Sequence, residues 1–244
     1  MSKPIHKNIV EFQVRGDYAL FSDPLTRVGG EKCTYQIPTY EALKGILASV
    51  YWKPTIVWYI DAVRVVNQIQ TEVKGIRTVD DKLAPDLAYY TYLKDVVYQV
   101  RAHFEWNDNR PELEGDRNEN KHHEIAKRSI AHGGRRDIFL GARECQGYVE
   151  PCVFGEGIGA YDGVPELSFG LMYHGITYAD ETYSAETKDK MTINFWYPVM
   201  KKGVIEFLRP EECPLHKAAR EMEIKPFSKE LDNFIGLAEF EEET

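Results

Sequence analysis

The residues best suited to chemistry lie in one stretch, Asp116-Arg117-Asn118-Glu119-Asn120-Lys121-His122-His123, followed by Gly133-Gly134-Arg135-Arg136-Asp137. Histidine is the side chain whose ordinary pKa suits proton transfer near neutrality. Lysine offers a fixed cation to an anionic transition state. With a tyrosine hydroxyl to aim the attacking group, these suffice to cleave RNA without a metal. The 2′-hydroxyl must be deprotonated, charge on phosphorus stabilised and the leaving 5′-oxygen protonated; acid–base help of this kind is worth about 10²–10⁴-fold. Lys121 and His122 supply two of the three groups, and Tyr51 is the favoured third. Spacing alone favours the plainer reading of a core tyrosine.

The stretch breaks a local rule. It reads as the start of a helix over Lys121 to about Ala131, and a helix N-terminus repels cations and attracts anions. Such violations gather where binding or catalysis is done. Open backbone N–H groups at Lys121 to His123 would make an anion site. The helix dipole would lower the pKa of a nearby histidine, and a bound phosphate would raise it. His122 and His123 project about 100° apart and cannot share one role. Either could move the proton, with the other a surface histidine or an RNA contact.

Arg135, Arg136 and Arg143 come next, in a loop bearing Gly133, Gly134, Gly141 and Gly147. Glycine lets backbone approach a phosphate, and arginine pairs with it bidentately. Arg101 and His103 share the polar face of a strand, where RNA contact and plain solvation compete. His132, His174 and His216 are isolated and read as ordinary loop or surface residues. No His-Glu-x-x-His, Ser-His-Asp or Walker pattern occurs, so neither a metal nor another cofactor is expected.

These residues need a scaffold. Asn8 to Arg15 alternates and ends at Gly16-Asp17, a first strand. Thr39 caps a helix carrying Leu43, Ile46, Leu47 and Val50 at i, i+3, i+4 and i+7, with Tyr51 on it four residues beyond Leu47, at the edge of the stripe. Thr55 to Gln68 reads as a long strand, and Thr71 to about Tyr90 as a polar stretch. Lys94 to Trp106 is the clearest strand: Val96, Tyr98, Val100, Ala102, Phe104 and Trp106 take one face. After the helix at 121–131, Cys145 to Cys152 is a fourth strand. The order β-α-β-β-α-β predicts an α+β, ferredoxin-like (RRM-like) domain over 1–152, whose sheet can present a face to single-stranded RNA. Residues 153–244 predict a small antiparallel β-rich domain. It holds short strands near Leu167–Tyr178, a hairpin at Lys201-Lys202-Gly203 and a frayed acidic tail.

Composition permits this reading. The net charge of −9 argues against a nucleic-acid partner until its distribution is considered. Glu221 to Thr244 holds eight acids and two bases, whereas Lys121 to Arg143 holds six Lys/Arg, two acids and three histidines. A local basic stripe matters more for phosphate contact than the total. A polar Met1–Asn8 and no apolar run near ~20 residues predict neither signal peptide nor membrane span. Cys33, Cys145, Cys152 and Cys213 form no CxxC pair, which points to free thiols in a reducing cytoplasm.

Four segments carry a resemblance: Asp17-Tyr18-Ala19-Leu20-Phe21, Tyr51-Trp52-Lys53-Pro54, Asp116-Arg117-Asn118 with Lys121-His122, and Gly133-Gly134-Arg135-Arg136-Asp137-Ile138-Phe139-Leu140-Gly141. Together they closely resemble the CRISPR-associated Cas-five family of the type I-C (Dvulg) subtype, within the repeat-associated (RAMP) superfamily. The resemblance implies a metal-independent endoribonuclease that cuts precursor CRISPR RNA within its repeat and stays on the 5′ handle of the guide RNA. It implies partners in the type I-C interference complex, namely Cas-seven backbone subunits and a large subunit, with target DNA met indirectly. The family's catalytic tyrosine, lysine and histidine fall on Tyr51, Lys121 and His122. His123 is an addition relative to some members. In other subtypes the family caps the guide without cutting it, which remains the alternative.

Overall fold

The computed structural model describes residues 7–24, 26, 30–79, 85–182, 187–222 and 224. In chain order its elements are β1 (Val10–Ala19), α1 (Tyr40–Val50), β2 (Ile56–Val65), β3 (Thr71–Val79), β4 (Pro85–Trp106), α2 (Glu119–Ala131), β5 (Ile138–Phe139), β6 (Gln146–Pro151), β7 (Leu167–Ser168), β8 (Met172–Thr177), β9 (Lys190–Trp196), β10 (Val199–Lys201), β11 (Val204–Glu206) and β12 (Leu215–Glu221). Among the described residues, one sheet runs β5-β6-β1-β4-β2-β11-β10-β7, with β3 joined to β4 off that path, and a second runs β12-β9-β8. The paired strands are antiparallel, so the protein is α+β, mostly antiparallel sheet, with two α-helices among the described residues.

α1 forms as the apolar spacing requires. The Thr39 hydroxyl accepts from the Ala42 N–H at 3.2 Å, capping the first turn, and Leu43, Ile46, Leu47 and Val50 are buried. Each such side chain contributes about 1.5–3 kcal/mol when removed from water. This face packs on β2 and β8, while α2 packs on β6 and β1. β1, β2, β4 and β6 lie side by side as β6-β1-β4-β2, with both helices against the face that carries Val100, Ala102 and Phe104. α2 buries His122, Ala126 and Ile130, at i, i+4 and i+8. A histidine therefore occupies a core position of a helix stripe.

Several expectations shift. β1 continues through Gly16-Asp17 to Ala19. A Cβ on Gly16 would meet Leu140 Cδ1 at 2.6 Å and the Gln146 carbonyl at 2.9 Å, so this glycine admits a close neighbour rather than making a turn. The polar stretch 71–90 is a ribbon: β3 pairs with the first nine residues of β4, Pro85–Leu93. The strand read from Lys94 onwards thus starts earlier, at Pro85, and Asp95 adopts φ 51° where β4 passes from β3 to β2. Asp tolerates that left-handed conformation better than most side chains. The hairpin at 201–203 joins β10 to β11. Because β11 also pairs with β2, strands from both sides of residue 152 share the main sheet, while β8, β9 and β12 form the small one. The tail beyond 224 lies outside the described residues.

Candidate active site

α1 stops at Val50, and Tyr51 leaves it in an extended conformation (φ −156°, ψ 123°) while its N–H still bonds the Leu47 carbonyl. Tyr51 is thus the cap of the helix and not, as its spacing suggested, a residue on it. Its carbonyl accepts from Trp58 Nε1 at 2.8 Å, which pins the backbone here. The ring is 2% exposed, and its hydroxyl lies 2.7 Å from Nδ1 of His122.

α2 begins at Glu119, two residues before the expected start, with Asn118 as cap. Asn118 Oδ1 accepts from the Lys121 N–H at 3.0 Å, and the Asn118 carbonyl accepts from the His122 N–H at 3.1 Å. The backbone donors of Lys121 and His122 are therefore taken, and the anion site expected there is filled by the cap itself. Charge is balanced as well. Glu119 sits in the first turn, and the Lys121 ammonium is hydrogen-bonded to Oδ1 of Asp116. Thr55 Oγ1 donates to the other carboxylate oxygen at 3.0 Å. The Lys121 bond, against an opposing effect of burial, holds the Asp116 carboxyl below its ordinary 3.8.

Hydrogen bonding sets the state of His122. The Asp116 carbonyl, 2.9 Å from Nε2, can only accept, so Nε2 carries the proton. With Nε2 as the N–H, the neutral tautomer has its Nδ1 lone pair facing the Tyr51 O–H. Burial first, and the Asp116 carboxylate second, raise the Tyr51 pKa above its ordinary 10.0, with Arg135 pulling the other way. Tyr51 therefore keeps its proton and donates it. Phe104 and Trp106 meet the imidazole edge to face, and His122 is 0% exposed. Thr55, Asp116, Lys121, His122 and Tyr51 form one connected chain of hydrogen bonds. Asp116 is the member of this chain that sequence reasoning misses. The available signal is that a lysine near a helix N-terminus calls for a carboxylate, and the nearest upstream carboxylate outside the helix is Asp116.

The other candidates divide by place. Arg135 and Arg136 are exposed, and their N–H groups both bond the Ser49 carbonyl, at 3.3 and 3.2 Å. Gly133 and Gly134, at φ 79° and 104°, end α2 and turn the chain toward that carbonyl. An open groove of about 540 Å³ results, lined among others by Ser49, Trp52, Lys53, Pro54, Arg135 and Arg136. His123 points elsewhere, with Nε2 3.0 Å from the Ile9 carbonyl, and does not meet Tyr51. Arg143 is exposed on the loop between β5 and β6.

Arg101 and His103 lie on the opposite face of β4. Arg101 pairs with Glu11 at 2.9 Å beneath the Phe154 ring, and buried His103 bonds Asp61 at 2.9 Å. Burial pulls the His103 pKa down, but its bonds to Asp61 and Glu105 outweigh that and hold it above the ordinary value. Residues 153–162 cover this face through Arg64, which bonds the carbonyls of Glu156 and Gly157 and the Asp162 carboxylate. A more enclosed cavity of about 300 Å³, lined by Tyr40, Lys44, Trp58, Asn194 and others, is bounded by neither Tyr51 nor His122. Among the described residues no three potential metal ligands cluster, and no helix is long and apolar enough to cross a membrane.

Comparison with known proteins places this chain in a family. A family model described as CRISPR-associated protein (Cas_Cas5) matches residues 9–208. The chain belongs to that family, in its type I-C group. Over 149 residues it is 30% identical to a CRISPR pre-crRNA endoribonuclease Cas5d of Mannheimia succiniciproducens, a match spanning 52% of this chain and 64% of that one. The chain thus covers less than two thirds of that relative. A crystal structure of a CRISPR-associated protein superposes with a TM-score of 0.72 at 37% identity, over 86% of this chain and 96% of that one. A functionally uncharacterized protein, SMU1763c of Streptococcus mutans, gives 0.70 at 40% identity over the same shares.

Proposed function

We propose that this chain is a metal-independent endoribonuclease that cuts precursor CRISPR RNA within its repeat. On this reading it stays on the 5′ handle beside Cas-seven and large subunits of a type I-C complex. The observation that carries the proposal is the Tyr51–His122 hydrogen bond, with Lys121 one residue away on the same helix turn. The relative named as a pre-crRNA endoribonuclease supports it. The path β1-α1-β2-β4-α2-β6 and the order β6-β1-β4-β2 support a ferredoxin-like core, with the described residues after 152 as an appended β-rich part whose β11, β10 and β7 extend its sheet.

Both rings are closed off, so cutting requires RNA to open the cover. A phosphate draws Lys121 from Asp116, the Tyr51 hydroxyl aims the 2′-hydroxyl, and His122 Nδ1 takes its proton. The 2′-oxygen then bonds phosphorus as the bond to the 5′-oxygen breaks. The 5′-oxygen leaves with a proton from water, and His122 gives the proton it took back to water, so the products are a 2′,3′-cyclic phosphate and a 5′-hydroxyl, with no net proton consumed.

The second reading, a guide-capping subunit that does not cut, is favoured by one observation: His122 is fully buried with both ring nitrogens satisfied. Lys121→Ala and His122→Ala decide between them. Loss of repeat cleavage with RNA still bound supports the nuclease, and unchanged guide production supports the cap.

A further inference from the structure

The four tryptophans are not equivalent. Trp58 and Trp196 are buried, Trp106 is half-buried, and Trp52 is 55% exposed. Trp52 is also held on a firm base. Tyr51 before it is fixed through its carbonyl and hydroxyl, and the Lys53 carbonyl after it accepts the Ile56 N–H at 3.2 Å. Half exposed on a fixed backbone, the indole can take a ring against it with little further ordering.

Its surroundings restrict what that can be. The groove beside it brings together Lys53, Arg135 and Arg136, and no carboxylate lines it. None of the three cations makes an ion pair among the described residues. An apolar ligand leaves three cations unused, and a bare anion leaves the indole unused. A flat ring joined to a phosphate uses both, through stacking on the aromatic and forked pairing with guanidinium. The groove borders the Tyr51 site: Trp52 follows Tyr51 in the chain, and Arg135, which lines the groove, acts electrostatically on the Tyr51 hydroxyl.

We propose that Trp52 is the stacking platform of a nucleotide subsite, holding one unpaired RNA base beside the bond to be cut, with Arg135 and Arg136 on its phosphate. This rests on the reading of the chain as an RNA-cutting protein and adds a specificity-bearing residue to it. A stacked base fixes where along the strand the 2′-hydroxyl falls opposite Tyr51. Unpaired nucleotides are what such platforms select, because their faces are free.

The test uses the full chain and a repeat RNA with 2′-deoxy at the scissile nucleotide, so that binding is read without cutting. Trp52→Leu weakens binding by about 5- to 150-fold, the range of one base stacked on an aromatic, and Trp52→Phe recovers most of it. RNA quenches tryptophan emission in the parent and much less in Trp52→Leu. Replacing one base flanking the cut by an abasic site weakens the parent to a similar degree and Trp52→Leu no further. Equal affinity and equal quenching in Trp52→Leu overturn the subsite, as does an additive loss at every abasic position. A parent that binds and quenches but never cuts unmodified RNA overturns the nuclease and leaves the subsite standing.

Discussion

Tyr51→Phe removes one oxygen and leaves the ring in place. Its effect reads out both the Tyr51–His122 bond and the work that bond does. In the variant, His122 Nδ1 keeps a lone pair inside a 0% exposed site with no donor. A tautomer flip brings no relief, because the Asp116 carbonyl at 2.9 Å accepts only and needs the proton on Nε2. Protonating both nitrogens would bury a charge. An orphaned buried acceptor costs about 1–3 kcal/mol. At about 2–4 °C per kcal/mol for a chain of this size, Tm falls by roughly 2–12 °C in thermal unfolding. In a His122→Phe background the same change costs little, since the partner is gone; the double-mutant cycle isolates the bond. Single-turnover cleavage, measured well below the lowered Tm, falls by at least about 100-fold if the hydroxyl takes part in proton transfer. A Tm and a cleavage rate both equal to the parent's would refute the geometry. A lowered Tm with full cleavage would keep the geometry and remove Tyr51 from the catalytic set.

Arg135→Ala and Arg136→Ala weaken RNA binding more than turnover, and each lowers the slope of log affinity against log salt by about 0.7; an unchanged slope in a salt titration removes them from the phosphate contacts. Asp116→Asn destabilises at neutral pH. Because Lys121 holds the Asp116 carboxyl below 3.8 in the folded state, its contribution is present above that value and fades as pH falls through the lower folded pKa. Parent and variant should therefore converge in urea unfolding as pH drops below about 4, and a gap that stays constant with pH contradicts the assignment. Activity of Asp116→Asn also separates its two roles, because the backbone carbonyl that fixes His122 is untouched while Lys121 loses its charged partner.

Much of the scaffold is legible in the sequence because it obeys simple periods. α1 has a hydroxyl cap and an i, i+3, i+4, i+7 stripe, and the second half of β4 alternates cleanly; both lie close to where those patterns put them. The β3–β4 ribbon is not legible. Val73, Val79, Leu87 and Tyr89 are all at least half exposed on it, so no buried face imposes an apolar alternation. Tyr51, Lys121 and His122 can be named from residue type and family resemblance, but not their closure. The stripe His122-Ala126-Ile130 looks like any half-polar helix until Phe104 and Trp106 arrive from β4 to bury it. Alternation puts Arg101 and His103 on the correct polar face, yet nothing near them announces that Phe154 and Arg64, distant in the chain, cover it. Local pattern reports a face, whereas long-range packing decides whether that face meets water.

The central claim is that a 2′-hydroxyl, aimed by Tyr51 and deprotonated by His122, cuts the repeat RNA without a metal. It is tested most directly by incubating the purified chain with repeat RNA in excess chelator, beside the same RNA carrying one 2′-deoxy substitution at the scissile nucleotide. The first is cut, leaving a 2′,3′-cyclic phosphate end, and the second stays intact. Cleavage of the deoxy substrate, or loss of all cleavage in chelator, would contradict it.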